Sequence, residues 1–303
     1  MNYRHAYHAG NFADVVKHAV FALAIDYLKR KEAAFRIIDT HAGRGRYQLN
    51  AAEAAKTQEW RAGIGRLLGP EGKALPPPLV PLLAVYLEAV RAENAPGELA
   101  LYPGSPALAR RLMRAQDTLV ANEMHPEEHA ALRAGLGRGC RGVKLLRLDG
   151  WMALRALLPP PERRGVILID PPFEQDGDLA RLGEALGEGL RRFGTGVFLA
   201  WYPIKDARTT ARLNRAVARA AAAKLLSLEL LIRQPRNRQL LNGCGLLIAN
   251  PPFTFASVLE RAAPALARLL AVGPGAYCSV RWLKVLREDE DPPTQDHAGP
   301  SKS

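Results

Sequence analysis

Cysteine, acidic residues and long apolar segments are all scarce in this sequence of 303 residues. Its three cysteines are widely spaced and form no CxxC pair, which excludes a disulfide framework and a cysteine zinc site. No run of about 18 apolar residues is present, so we expect no transmembrane helix. The first residues carry charged side chains ahead of a helical pattern, which is not typical of a signal peptide. We therefore expect a soluble protein of the reducing cytoplasm, without a membrane partner.

The shortage of acidic residues leaves a large positive charge. The chain has 30 Asp and Glu against 42 Lys and Arg, a net charge of +12 at pH 7 and an isoelectric point near 9.9. Such a surplus favours an anionic partner such as nucleic acid, because Lys and Arg side chains displace the counterions around phosphates. A charge that serves only solubility is an equally good explanation at this point. The hydrophobic fraction of 48% predicts an ordinary globular core.

Apolar periodicity predicts alternating helices and strands. Asn11 as an N-cap begins an amphipathic helix over residues 12–30. The predicted apolar face of this helix carries Val16, Val20, Leu23 and Tyr27. Short runs rich in β-branched residues then predict strands at residues 35–39, 119–123, 143–149, 165–170, 196–200, 226–232, 245–249 and 276–282. This alternation is typical of an α/β fold with a seven- to eight-stranded, mostly parallel sheet.

The alternation is interrupted once, which suggests how the domains are arranged. Residues 50–97 form Ala-rich helical patterns around Trp60 and Tyr86, and we interpret them as a helical insertion subdomain. Residues 1–49 and 98–285 then form one Rossmann-like domain. Residues 286–303 begin with an acidic run and continue with Pro, Ser and Gly, which predicts a disordered tail.

A glycine loop follows the first predicted strand. Gly43 and Gly45 would let the backbone approach a cofactor, while Glu123 and Asp149 follow the next two strands. An acid in such a place can bind ribose hydroxyls, so the set indicates a nucleoside-containing cofactor. NAD and S-adenosylmethionine both satisfy it, although the insertion separates Glu123 from the glycines by more than the NAD pattern allows. Acids that merely end strands in solvent are the simpler alternative.

The tetrapeptide from Asp170 to Phe173, DPPF, directly follows the fourth of these strands. An exocyclic adenine amine is a poor nucleophile, because its lone pair is delocalised into the ring. A carboxylate and a backbone carbonyl that accept its two hydrogens would restore the lone pair. Pro171 and Pro172 would fix the backbone, and Phe173 would offer a face on which an extruded base stacks.

Proline runs are common in this chain, and residues 250–253 form a second tetrapeptide of this type, NPPF. Position separates the two. Asp170 ends a strand that we expect beside the first strand and the cofactor, whereas Asn250 ends a much later strand at the other side of the sheet. We therefore assign the chemistry to Asp170 and interpret Asn250 as a structural strand stop.

Several long motifs resemble one family. They are residues 3–18 (YRHAYHAGNFADVVKH), 39–43 (DTHAG), 102–106 (YPGSP), 123–126 (EMHP), 149–150 (DG), 170–173 (DPPF) and 201–203 (WYP). In order and in type they resemble the RlmJ family of large-subunit ribosomal RNA adenine-N6 methyltransferases. The resemblance covers residues 1 to about 283. Phe173 stands where the family usually has Tyr, which keeps stacking and removes a hydroxyl.

The resemblance implies a Rossmann-like enzyme that uses S-adenosylmethionine to methylate one adenine of 23S rRNA, adenine 2030. It implies that Asp170, Pro171, Pro172 and Phe173 are catalytic. It assigns cofactor binding to Lys17, His18, Asp39, His41, Gly43, Ser105, Glu123, Asp149, Gly150 and Asp170. It places Tyr3 and Phe173 against the substrate.

Further expectations concern partners and metals. His5 and His8 are close in sequence, but no acid or cysteine set completes a site around them, so we expect no metal. Arg233, Arg236 and Arg238 with Lys205 are candidates for gripping RNA phosphates, or form a merely solvated loop. We expect a monomer without a protein partner. A DNA adenine or protein glutamine methyltransferase, and an RNA-binding protein without catalysis, are the alternatives.

Overall fold

The sheet and its flanking helices are seen in a computed structural model, which describes residues 4–70, 74–136, 140–175, 177–220 and 224–284. The predictions for Tyr3 and for the tail 286–303 lie outside the described residues. None of the described helices is both long and apolar enough to cross a membrane.

Eight strands form the central sheet. In chain order the strands of the molecule are β1 (Arg36–Asp39), β2 (Arg46–Gln48), β3 (Leu101–Pro103), β4 (Thr118–Asn122), β5 (Val143–Leu146), β6 (Gly165–Ile169), β7 (Val197–Ile204), β8 (Leu225–Leu231), β9 (Gly243–Ala249) and β10 (Tyr277–Lys284). The sheet order is β10-β8-β9-β7-β6-β1-β4-β5. Neighbours from β5 to β7 pair in parallel, and β9, β8 and β10 extend the sheet by antiparallel pairing. The predicted mostly parallel α/β sheet is confirmed.

Helices cover both faces of the sheet. They are α1 (Phe12–Lys29), α2 (Ala52–Thr57), α3 (Glu59–Ala62), α4 (Gly65–Leu68), α5 (Val80–Arg91), α6 (Ser105–Leu112), α7 (Pro126–Leu136), α8 (Gly150–Leu157), α9 (Asp178–Arg192), α10 (Ala207–Ala220) and α11 (Phe255–Leu270). Alternate residues of one strand serve different cores, as β6 shows. Val166 belongs to the core that also contains residues of α1, α5, α6 and α11, whereas Ile167 belongs to the core that contains residues of α8, α9 and α10. The result is a three-layer sandwich.

Helix α1 is more deeply buried than an amphipathic helix. Asn11 caps it as predicted, accepting hydrogen bonds from the backbone nitrogens of Ala13 and Asp14. Fourteen of its eighteen residues are buried, while Leu23 and Tyr27 of the predicted apolar face are only half-buried. The helix contacts α5 and α6 as well as the sheet. The predicted amphipathic character is therefore wrong, because helices not foreseen beside it cover its other sides.

The glycine loop after β1 does not open a helix. It leads instead into β2, which pairs antiparallel with β3 in a separate two-stranded sheet. The backbone N–H of Gly104 donates to the carbonyl of Gly45 at 2.8 Å, and α6 begins at the next residue, Ser105. The chain thus leaves the sheet domain at Gly45 and returns beside it at Gly104, after residues 46–103.

The segment between those two points is mainly helical. Helices α2 to α5 lie within residues 50–97, and α5 packs against α1 and α6. Arg66 of α4 donates from one guanidinium nitrogen to the carbonyls of Leu269 and Ala271, at the C-terminal end of α11. These hydrogen bonds fasten the segment to the sheet domain. The division of the chain into a domain and an insertion stays a prediction.

Two predicted strand ends differ from the structure by three residues or more. Strand β5 ends at Leu146, and Asp149 is the N-cap of α8, accepting from the backbone nitrogens of Trp151 and Met152. The strand predicted over 143–149 was too long because a capping acid looks like a strand-end acid. Strand β7 is longer than predicted and runs on to Ile204.

The second tetrapeptide lies at the opposite edge of the sheet from the first. Strand β9 is antiparallel to β7, and Ala249 pairs with Phe198 near the start of β7. The side-chain amide of Asn250 donates to the carbonyls of Gly194 and Gly196 at 2.7 and 2.9 Å. The prediction that Asn250 is a structural strand stop is thereby confirmed.

Candidate active site

A cavity of about 530 Å³ opens at the carboxyl ends of β1, β4 and β6. This is the edge where α/β sheets bind ligands. Residues of α1, the glycine loop, the DPPF tetrapeptide and the loop before β9 share its wall. Strand β6 pairs with β1, as the position of Asp170 required.

Asp170 forms an ion pair with a buried lysine. Lys17 of α1 has a side chain only 4% exposed, and its ammonium contacts Oδ2 of Asp170 and, at 2.9 Å, Oδ1 of Asp14. Burial opposes the lysine's charge, but the two carboxylates raise the pKa of Lys17 well above its usual value. Asp170 is therefore held through Oδ2 by a permanent cation, and the residue lines the cavity.

Asp14 anchors this pair to the N-terminal segment. Its Oδ2 lies 2.9 Å from Nε2 of His5 and accepts the backbone N–H of Gly10 at 2.9 Å. Burial opposes ionisation, yet the positive groups of His5 and Lys17 hold the pKa of Asp14 well below its usual range. A continuous polar chain thus runs from His5 through Asp14 and Lys17 to Asp170.

Two imidazoles, the buried His18 and the half-buried His41, line the same cavity. Burial lowers the pKa of His18 to about 3 and that of His41 to about 4, so both are neutral at neutral pH. Nδ1 of His18 is joined by a 2.8 Å hydrogen bond to the hydroxyl of Tyr102. Nδ1 of His41 lies 2.9 Å from the hydroxyl of Thr40. These contacts fix both rings without giving them charge.

The glycine loop is held by the acid after β4. Gly43 has φ +61°, and a Cβ there would lie 2.4 Å from the hydroxyl oxygen of Tyr47. Its N–H donates to Oε2 of Glu123 at 2.8 Å, and the N–H of His125 donates to Oε1 at 2.7 Å. Burial raises the pKa of Glu123. Each carboxylate oxygen keeps a lone pair for a ligand hydroxyl.

Gly150 permits a close approach at the start of α8. A Cβ at this position would lie 2.3 Å from Nε2 of His41, which no side chain tolerates. The ring of His41 also meets Trp151 edge-on, with centroids 5.4 Å apart. Gly150 is thus needed to seat His41 against the helix.

An aromatic pair forms the wall beyond the prolines. Phe173 has φ +51°, a strained conformation for a residue with a side chain. Its ring meets that of Trp201 with centroids 5.7 Å apart at an interplanar angle of 60°. The ammonium of Lys17 lies 5.8 Å from the centre of the Trp201 ring. The strained residue thus lies on the wall of the cavity, beside Asp170 in the tetrapeptide.

The cavity brings most of the predicted site residues together. Its wall includes Lys17, His18, His41, Gly43, Ser105, Glu123, Gly150, Asp170, Pro171, Pro172 and Phe173. Asp39 and Asp149 are not part of the wall. Asp39 is fully buried behind it, and Asp149 caps α8 with an ion pair to Arg181 at 3.6 Å. Their predicted contacts with a cofactor stay predictions.

The burial of Asp39 predicts how the stability of the protein changes with pH. Its Oδ2 is buried without a partner among the described residues, and burial raises the pKa of Asp39 from 3.8 to about 7. The folded protein therefore binds a proton more tightly than the unfolded chain, and stability is lost as pH rises from about 4 to 7. We expect Asp39→Asn to gain stability relative to the parent across this window, by about 4 kcal/mol at most. Urea unfolding of the variant and the parent at pH 5 and pH 8 measures this difference in the free energy of unfolding.

The matched control for this expectation is Asp26→Asn, at the half-buried Asp26 of α1. It measures how much an Asp-to-Asn change outside the core alters the free energy of unfolding at the two pH values. An equal pH slope in Asp39→Asn and in the parent would show that Asp39 does not titrate in this range.

Several residues of the cavity were missed from the sequence. Asp14 was identified only as a first-turn acid, and Trp201 was given no role. Glu59 of α3 was not considered, although it accepts from the amide of Asn11 at 2.9 Å and lies 3.0 Å from Nδ1 of His8. An acid three residues before a lysine inside an otherwise apolar helix was the available signal for Asp14.

His5 and His8 each have a carboxylate neighbour. His5 contacts Asp14, and His8 contacts Glu59. No group of three or more potential ligand residues clusters in the part of the chain that the structure describes.

The sequence of this chain matches a known protein family. The family model described as "Ribosomal RNA large subunit methyltransferase D, RlmJ" matches residues 32–284. The chain belongs to the RlmJ family. The resemblance identified from the motifs is thereby confirmed, and DPPF, EMHP and WYP all lie inside the matched range.

Two relatives in the RlmJ family match nearly end to end. "Ribosomal RNA large subunit methyltransferase J" of Escherichia coli is 37% identical over 284 residues, which cover 93% of this chain and 99% of the relative. The protein of the same name from Haemophilus influenzae is 36% identical over 285 residues, with the same coverage.

A solved structure also matches. The crystal structure of a protein from Legionella pneumophila is 33% identical, covers 91% of this chain and 98% of its own, and superposes with a TM-score of 0.81. The RlmJ fold described above is thus shared over almost the whole length of both chains.

Proposed function

We propose that this protein transfers a methyl group from S-adenosylmethionine to N6 of one adenine in 23S rRNA, adenine 2030 by family resemblance. The single observation that carries the chemistry is Asp170, held by Lys17 at the edge of a cavity beside Phe173. The names of the relatives, which are large-subunit rRNA methyltransferases, support the substrate class. The net charge of +12 suits a polyanionic substrate.

The residues of the cavity fit the cofactor. A volume of about 530 Å³ is in the usual range for a small-molecule site. His18 and His41 are neutral and so do not repel a sulfonium cation, and Glu123 retains lone pairs for ribose hydroxyls. Gly43, Ser105 and Gly150 complete the wall on this side. When bound, S-adenosylmethionine supplies the methyl group.

Asp170 would act on the adenine amine. Lys17 occupies Oδ2, so Oδ1 is the oxygen available to accept an N6 hydrogen. Accepting that hydrogen draws the nitrogen toward tetrahedral geometry and frees its lone pair for attack. Once N6 carries the methyl group it loses one proton, and the same oxygen is placed to receive it. A backbone carbonyl of the proline pair would accept the second N6 hydrogen.

Phe173 would hold the base. A target adenine has to leave its stack to reach Asp170, and an aromatic face recovers part of the lost stacking energy. The prolines fix the backbone on which Asp170 and Phe173 are spaced. Base flipping into the DPPF site, the monomeric state and the absence of a protein partner belong to this proposal.

The deciding experiment is transfer of labelled methyl from S-adenosylmethionine to protein-free 23S rRNA, with nucleoside analysis and mapping of the modified base. N6-methyladenine at one position is the expected result. Methyl transfer only to duplex DNA or to a peptide would contradict the substrate, and salt-sensitive RNA binding without any transfer would contradict the activity.

We expect Phe173→Ala to lower kcat/KM for rRNA by roughly 10- to 100-fold, since base–aromatic stacking is worth about 1–3 kcal/mol. Phe173→Tyr keeps the ring and should keep the activity. The second tetrapeptide supplies the matched control, because Phe253 is 83% exposed at the opposite edge of the sheet. Phe253→Ala should behave as the parent protein, and an equal loss in both alanine variants would exclude a stacking role.

A further inference from the structure

The loop between β8 and β9 forms one rim of the cavity, and the mechanism above does not use it. Gln239, Leu240 and Leu241 all belong to the cavity wall. They line the same cavity as Asp170 and Phe173, so the loop borders the cavity in which the base is proposed to lie.

The loop has a defined conformation. Asn242 is 1% exposed, and its side-chain amide donates to the carbonyls of Asn237 at 2.7 Å and Lys205 at 3.1 Å. The side-chain oxygen of Asn237 accepts the N–H of Gln239 at 2.9 Å, and its carbonyl accepts the N–H of Leu240 at 3.3 Å. These hydrogen bonds present Leu240 on a fixed turn.

Leu240 has an unusual position for a large apolar side chain. It is 44% exposed at the tip of a polar loop, where its exposure to water brings no stability. The neighbouring positions 236–239 are all exposed and polar. An apolar group held in this way at the mouth of a cavity is available to a ligand.

The charge around Leu240 indicates which ligand. Arg236 and Arg238 are exposed, and neither guanidinium forms an ion pair with any residue that the structure describes. Lys205 lies on the cavity wall. Unpaired cations on the same loop as an apolar tip complement a nucleic acid strand, which has phosphates outside and base faces inside.

We propose that Leu240 is a wedge that enters the RNA stack in the gap left by the flipped adenine, while Arg236 and Arg238 hold the adjacent phosphates. The wedge role rests on the proposed function, and it explains how the flipped adenine is kept out of its stack. Unstacking a base costs a few kcal/mol, and an inserted apolar side chain offsets part of that cost by contacting the exposed faces of the neighbouring bases.

The test compares Leu240→Ala with the parent protein on the shortest RNA around the mapped adenine that the parent methylates. One version pairs the target adenine with uridine, and the other has an abasic site opposite it, which makes extrusion easier. We expect Leu240→Ala to lose about tenfold or more in kcat/KM on the paired RNA and less than about threefold on the abasic RNA. Equal losses on both RNAs would overturn the wedge.

Two further measurements separate the wedge from other effects. Val272→Ala removes an exposed aliphatic side chain outside the cavity wall and should match the parent, whereas Leu240→Met should retain most of the paired-RNA activity. With 2-aminopurine at the target position, binding of the parent should raise the fluorescence and binding of Leu240→Ala should raise it less. Absence of methylation by the parent would contradict the proposed function, while the fluorescence comparison on a 23S rRNA fragment around adenine 2030 would still decide the wedge.

Discussion

Asp170→Ala is expected to lower kcat for rRNA methylation by about 10³-fold or more, because it removes the acceptor for the N6 hydrogen and the charge that favours the transition state. The fold should survive, since Lys17 keeps its second carboxylate partner, Asp14, at 2.9 Å. Single-turnover methylation of 23S rRNA with saturating cofactor measures the rate, and equilibrium dialysis of S-adenosylmethionine measures the binding.

Asn250→Ala is the matched control for that rate, because Asn250 holds the same place in the second tetrapeptide. This variant should be less stable, because it lacks the two side-chain hydrogen bonds to the carbonyls of Gly194 and Gly196, but its kcat should be unchanged. Near-normal transfer by Asp170→Ala would rule out the mechanism described above. Loss of cofactor binding in the same variant would instead assign Asp170 to the cofactor alone.

Lys17→Met should have the largest effect on stability. Lys17 lies between two carboxylates inside the protein, and breaking such a buried pair costs about 3–5 kcal/mol because an uncompensated charge is left behind. The buried carboxylate of Asp14 would then favour its protonated form, so part of the lost stability should return as pH falls. Urea unfolding of the variant at pH 8 and pH 5 measures both effects.

The same helix offers the control for this substitution. Lys29 pairs with Asp26 at 3.1 Å and the same three-residue spacing, but both side chains are partly exposed. Lys29→Met should cost no more than about 1 kcal/mol. In addition, the double variant Lys17→Met with Asp14→Asn should lose less than the two single variants added together. Simple additivity would show that the two charges do not stabilise one another.

The fold was largely predictable because its signals are local. Each strand of the central sheet is a short apolar run after a turn, and such runs were found at all eight positions. The buried sides of α1 and the pairing of β2 with β3 were not predictable, since both depend on contacts with residues 46–103 that are distant in sequence. Asp149 was misassigned as a strand-end acid because a capping residue and a strand-end residue have the same local pattern.

The site was predictable to the extent that its residues sit in motifs. Asp170 was found from its position after a buried strand beside the glycine-loop strand. The partner of Asp170 was not found, because the Lys17 contact joins residues 153 positions apart. Glu59 and Leu240 carry no motif and become visible only when the insertion and the loop before β9 are brought to the same cavity.

The hydrogen bond between Gly104 and Gly45 has an evolutionary consequence. Because residues 46–103 leave and rejoin the sheet domain at one point, this excursion behaves as a closed loop whose entropy cost grows only slowly with length. Additions or deletions there need not disturb the register of β1 against β4. Across the family, length differences should therefore accumulate in the turns of this excursion, while the spacing from β4 to the DPPF tetrapeptide stays nearly constant.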